Sequence, residues 1–444
     1  MRAARRQRRR LRIAAFIVAG GLIAAACGND DDDGGAQPDD AAADDEAAAD
    51  ETDGDTGVNL TMWTRSATQR QSELFVEAYN ASHENQVELT VIPNDNYNQQ
   101  VASAAGAGEL PDIFAADVVF VPNFIEQGLF ADITDRIDAL PFADDLAPSH
   151  VEVGTADGAK HVVPHTLDLS VLFYNKDLYE QAGLDPEAPP ETLNEFAEHA
   201  RTINELGDDI YGTFWGGDCG GCHVFTFWPS IWAAGGEVMN EEGTESTIAS
   251  PEAIEVFEIY RSLWEDGVVE PTSPQETGDT WTDFFQEGNI GVMPMPSTTL
   301  GENLEVLGDE VVGVAPIPGP EGGESTFVGG DSIGISSTTD NEDAAWNFIE
   351  WTVSDEAQVD VVIANADIPG RVDLGGEAED ERAVLINELV GVGVTPFALN
   401  FNQTYNDPAG PWLQITRPAE FDEDTTVEEA LTEGQEALTA SLSE

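Results

Sequence analysis

The 444 residues carry 17 Lys or Arg against 86 Asp or Glu, a formal net charge of −69. A surface of that sign repels phosphate, which is bound through Lys/Arg clusters, and so argues against DNA, RNA and anionic lipid headgroups as partners. With 41% apolar residues the chain can still bury the cores of two ordinary domains, and its acidity reads as suited to concentrated salt, where screening removes self-repulsion.

The chain opens with the basic segment MRAARRQRRRLR, the apolar run IAAFIVAGGLIAAA and then Cys27. A basic region followed by an apolar one is the pattern of an export signal, and the apolar run is shorter than the roughly 20 residues of a membrane-crossing helix. LIAAAC resembles the lipobox of bacterial lipoprotein signals, although Ala24 stands where Leu is usual. That resemblance implies lipidation of Cys27, a plain secretory signal being the alternative; Arg9-Arg10 leaves twin-arginine export open. Residues 28–57 contain 13 acids and no aromatic residue, the composition of a solvated, extended tether.

From Val58 onward the pattern changes. VNLTMWT predicts a strand, SELFVEAYNASHE a helix, VELTVIP a second strand, NYNQQVASAAGAGELPD a helix stopped by glycine and proline, and IFAAD a third strand. This alternation argues for an α/β fold with a parallel sheet. Helical patterns recur in LNEFAEHARTINEL, in SPEAIEVFEIYRSLWEDG, with Ser250 as N-cap and Gly267 as stop, and in NEDAAWNFIEWTVSDEAQVDVVI.

Four stretches in order carry a resemblance. They are LPDIFAADVVFVPNFIEQGLFADIT (110–134), HVVPHTLDLSVLFYNKDLYEQAGLDPEAPPETLNEF (161–196), FFQEGNIGVMPMPSTTL (284–300) and VGVAPIPGPEGGESTFVGGDSIGISSTTDNEDAAWNFIEWTVSDEAQ (312–358). Together they resemble the extracellular solute-binding proteins of family 1, the sugar-binding subunits of ABC importers. The resemblance covers about residues 58–420. It implies a two-lobed periplasmic-binding-protein-like fold of type II, its lobes joined by crossover strands with a ligand cleft between. The lobes would be 58–164 plus 329–369 and 165–328 plus 370–444. It further implies a monomer, lipid-anchored outside the cytoplasmic membrane, that closes on a mono- or oligosaccharide and delivers it to a membrane permease. A polyol, glycerol phosphate or peptide is the alternative cargo.

Sugar recognition needs aromatic faces for pyranose C–H groups and planar polar groups for hydroxyls. By resemblance the ligand-facing positions are Trp63 and Arg65 after the first strand, Asp117 at the end of IFAAD, Asp168 in HTLDLS, Gly330 and Asp331 in the GGD block, and Arg371 after ADIPG. Asp117 could instead cap the following segment, Asp331 could make a structural bond, and Arg371 could pair with Glu377 or Asp373. Trp215, Trp232 and Trp281 are stacking candidates, each open to a core role.

GGDCGGCHVF holds Cys219 and Cys222 as C-x-x-C. A redox site would need a helix to begin there, which the flanking glycines argue against. Zinc would need a second ligand pair, which is missing. Outside the cell the two thiols would oxidise, and the disulfide reads as a brace for a glycine-rich loop. No G-x-S-x-G, H-E-x-x-H or P-loop motif is present, and no two acids stand out as a glycosidase pair, so the expectation is a receptor without cofactor or metal rather than an enzyme.

Overall fold

The computed structural model of the chain describes residues 54–443. The strands are β1 (Asn59–Arg65), β2 (Gln86–Ile92), β3 (Ile113–Asp117), a small hairpin of β4 (Thr155–Ala156) and β5 (Ala159–Lys160), the long β6 (Val162–Asn175), β7 (Val292–Pro296), β8 (Val312–Ala315), the short pair β9 (Ile317–Gly319) and β10 (Gly322–Ser325), and β11 (Val328–Ile335). The main sheet runs β2-β1-β3-β11-β6-β7, with β8 also on β6. β1 pairs in parallel with β2 and β3, as the alternation predicts, through the helices Gln69–Ser82 and Asn94–Ala107. β11 then runs antiparallel to both β3 and β6.

Two strands do the joining. The first part of β6, up to Leu169, pairs with β11, and the rest pairs with β7 and β8. The register between β6 and β11 slips at Asp331/Ser332, opposite Pro164 and Thr166. Pro164 has no N–H to give to a ladder, so a bulge is the natural place for it in an interior strand.

Hydrophobic packing gathers at the two ends of this sheet. At one end Leu60 and Met62 of β1 pack under Phe75, Val76 and Tyr79 of the Gln69–Ser82 helix, with Trp346, Phe348 and Trp351 of the Glu342–Thr352 helix closing the same core. At the other, Trp215, Phe227, Trp228, Phe257, Tyr260 and Trp412 form an aromatic core among the helices Gly220–Ala233, Pro251–Glu265 and Pro411–Phe421. Ser250 caps its helix by accepting from the Ala253 N–H at 3.2 Å, and Gly267 takes φ +70°, both as expected.

Three sequence expectations need correction or limits. The C-x-x-C does begin a helix: Cys219 is the N-cap of Gly220–Ala233, its Sγ accepts from the Cys222 N–H at 3.0 Å, and a disulfide joins the two sulfurs. Gly220-Gly221 argue against a helix in the sequence, yet a helix start tolerates glycine, and the aromatic core holds the rest, Pro229 included. Glycine is required at 220, where a Cβ would lie 1.9 Å from the Tyr405 carbonyl oxygen. The last tether residues are docked: Asp55 accepts from the Glu84 and Asn85 N–H groups at 3.1 and 2.7 Å. The export signal, Cys27 and the rest of the tether lie outside the described residues.

Candidate functional site

A cavity of about 430 Å³ opens beside the crossover strands, within the range of small-molecule sites. Its wall can be read off the strand burial patterns. Every residue of β6 is buried except Asp168, the one partly exposed residue of β11 is Gly330, and that of β3 is its last residue, Asp117. All three line the cavity, together with Arg65 at the end of β1. A strand buried along its length with one open polar position has that position facing something. Here the C-terminal ends of β1 and β3 and the open points of the two crossovers face one space, the usual place for a ligand in an open α/β sheet.

Arg65 organises the polar side. Its guanidinium meets Asp117 at 2.9 Å and Asp331 at 2.6 Å through both Nε and Nη2. Asp331 is fully buried behind it, and also accepts from Thr68 Oγ1 at 2.7 Å. Burial alone would lower the Arg65 pKa, but the two carboxylates hold it above its ordinary value. Burial pushes the Asp117 carboxyl up, with Arg65 pulling against it. Asp168 is pushed to about 6 by burial; the Thr298 N–H at 3.2 Å and Ser297 Oγ at 3.3 Å offset only part of that. Behind the wall, His165 donates to or accepts from Ser72 Oγ at 2.9 Å and stays neutral, its pKa lowered by burial to about 4.

Gly329 and Gly330 complete that wall. Gly330 has φ +103°, and a Cβ there would lie 2.0 Å from the Thr166 carbonyl oxygen, so no other residue fits without moving the crossover.

The aromatic expectations fare differently. Trp215 is fully buried, donates Nε1–H to Glu420 Oε2 at 2.8 Å and stacks on Phe421, so it belongs to the core. Trp63 is half-buried against the core around Tyr97 and Phe114, and Trp232 packs edge-on to Trp228; neither is on the wall. Trp281 is 5% exposed and sits edge-on behind Phe225. Arg371 is 4% exposed, pairs with Asp355 and Asp373 at 2.6 Å each, and lies over the Phe142 ring. The structure therefore brings Arg65, Asp117, Asp168 and Gly330 to the cavity and sets Asp331 one layer back. It leaves Trp63, Trp215, Trp232, Trp281 and Arg371 off the wall.

The apolar wall comes instead from Phe225, Phe327 and Phe401. Phe225 and Phe327 meet edge to face at 4.9 Å. Gly221, Val224 and Phe225 form one face of the disulfide-capped helix. Arg70 and Asp367 join the polar side, Arg70 gripping Asp367 through Nη1 at 2.9 and 2.7 Å. The scarcity of arginine could have flagged Arg70, one turn after Arg65. Nothing in the sequence marks the three phenylalanines.

The sequence profile of the family described as bacterial extracellular solute-binding protein matches residues 66–359. The chain is 26% identical over 299 residues to a putative binding protein of Brucella abortus, covering 63% of this chain and 71% of that one. It is 25% identical over 374 residues to the diacetylchitobiose binding protein DasA of Streptomyces coelicolor, covering 80% and 84%. The crystal structure of a cyclic alpha-maltosyl-1,6-maltose binding protein from Arthrobacter globiformis superposes with a TM-score of 0.74 at 23% identity, over 87% of this chain and all of that one. That likeness shows the fold: two α/β lobes joined by crossover strands. The chain belongs to the bacterial extracellular solute-binding proteins.

Proposed function

We propose that this protein is the substrate-binding subunit of an ABC importer and captures a saccharide by closure of its cleft. The observation that carries this reading is the make-up of one cavity. Planar carboxylate and guanidinium groups and the rings of Phe225, Phe327 and Phe401 line the same cavity, the two chemistries a pyranose needs. The diacetylchitobiose-binding and cyclic-maltosyl-maltose-binding relatives support a sugar as cargo. Phosphate cargo fits less well, because Arg65 and Arg70 are already engaged by carboxylates. Closure would move the lobe of 58–164 plus 329–369 against that of 165–328 plus 370–444, flexing at β6 and β11, and the permease would read the closed form. The receptor turns nothing over, acts as a monomer in concentrated salt, and is held outside the membrane by a lipid on Cys27.

The test is thermal unfolding in molar salt with and without a panel of mono- and oligosaccharides, polyols and short peptides. At 100 times its Kd a ligand adds about 2.7 kcal/mol, readily seen as a raised midpoint. One saccharide raising the midpoint and recovered intact would support the reading; a response to peptides alone would refute it.

A further inference from the structure

The charges at the cavity do not balance. Two guanidiniums, Arg65 and Arg70, face four carboxylates: Asp117, Asp168 and Asp367 on the wall, and Asp331 directly behind Arg65. Three of the four are held by an arginine: Asp117 and Asp331 by Arg65, Asp367 by Arg70. Asp168 is the exception. Its hydrogen-bond donors, the Thr298 N–H and the Ser297 hydroxyl, carry no charge; the Arg65 guanidinium attracts it only weakly from a distance, and among the described residues no Lys, Arg or His nitrogen lies within ion-pair distance of it.

Among the described residues the other lysines and arginines are already engaged. Lys160 and Lys176 are engaged by Asp138 and Glu187, and Arg136, Arg201, Arg261, Arg371, Arg382 and Arg417 each hold an acid of their own. His165 lies near but is buried and neutral. When the cleft closes and water leaves, an unpaired carboxylate on the wall is costly unless the ligand compensates it. Neutral hydroxyls compensate in part; a cation compensates fully.

Resting on the saccharide reading above, we infer that the cavity takes an amine-bearing sugar in its protonated form, with Asp168 as the residue that selects it. The phenylalanine rings pack on the sugar face, and Asp168 receives the ammonium group. Arg65 and Arg70, tied to their own acids, remain hydroxyl donors.

Calorimetric titration of the full chain in detergent tests this with matched sugars: glucosamine, N-acetylglucosamine and glucose; the glucosamine disaccharide, its diacetyl form and cellobiose; and amino and hydroxy members of the α-linked series. Within a set only the ammonium, acetamide or hydroxyl group changes. The amine member of a set should bind about tenfold or more tightly than its neutral counterparts, the scale of a close charge pair. Asp168→Asn should reduce that preference to about threefold or less, read as the ratio of amine to neutral affinity within each set. A neutral or acetylated member binding as tightly as the amine in wild-type protein overturns the inference and leaves the saccharide reading standing. Binding by no member of any set overturns the saccharide reading itself. The wild-type order alone is decisive, whatever the folding of the variant.

Discussion

At the residue scale, the cavity side chains work against stability in ways that can be measured. Asp168 has its carboxyl pushed from 3.8 to about 6, so folding disfavours its charged form. The cost is absent below about pH 4, grows as the pH rises through about 6, and is complete above it. Asp168→Asn should therefore raise stability by about 2 kcal/mol at pH 8 and leave it unchanged at pH 4, read from urea unfolding at the two pH values. A loss of stability at pH 8 would refute this. Arg65→Met acts in the opposite sense, since it strands Asp117 and Asp331 together at low exposure. A loss of about 3–5 kcal/mol is expected, against a near-neutral result if solvent compensates them. Gly330→Ala forces a Cβ against the Thr166 carbonyl at φ +103°, and should cost more than about 2 kcal/mol; an unchanged midpoint would mean that the crossover yields. Much of this polar wall was legible beforehand. The family resemblance picked out Arg65, Asp117 and Asp168; the strand pattern alone left Asp117 open to a capping role. The aromatic wall was not legible. Whether a tryptophan stacks on a ligand or fills a core depends on which side of its strand, loop or helix the core lies, and sequence spacing does not say. Trp215 sits where Glu420, 205 positions later, meets its indole N–H.

At the scale of elements, the first three strands and their helices follow the periodicity closely, because each has one buried face and a clear stop. The Gly220–Ala233 helix does not, since its start looks like a flexible loop and its middle contains Pro229. The disulfide across Cys219 and Cys222 closes a very short ring, so it constrains the unfolded chain little, by about 2 kcal/mol. Its local effect is larger in kind: it holds the first turn of the helix whose Gly221, Val224 and Phe225 line the cavity, with Gly216 and Gly278 packed on the sulfurs. Cys219→Ser with Cys222→Ser should lower the unfolding free energy by no more than about 2 kcal/mol yet weaken saccharide binding several-fold. Loss of stability without loss of affinity would show that the helix start is rigid without the bridge.

At the scale of the whole molecule, the excess of acids over bases leaves a surface that repels itself. Screening at molar salt shortens the reach of that repulsion to about 3 Å, so the thermal midpoint should climb steeply between dilute buffer and molar KCl. A flat response would remove the salt-habitat reading while leaving the fold untouched. The order of the strands has a further consequence. β3 lies between β1 and β11, and Arg65 meets Asp331 across 266 positions of sequence. A chain grown only as far as Ala315 has β1, β2 and β3 but no strand to cover the outer edge of β3, and its buried guanidinium has one carboxylate instead of two. The first half of the sheet is therefore finished late, after a long loop has closed, which makes for slow assembly and a lengthy period with a bare apolar edge. In dilute salt the same excess negative charge keeps one half-made chain away from the next during that period, so the acidity that burdens the finished molecule there protects the unfinished one.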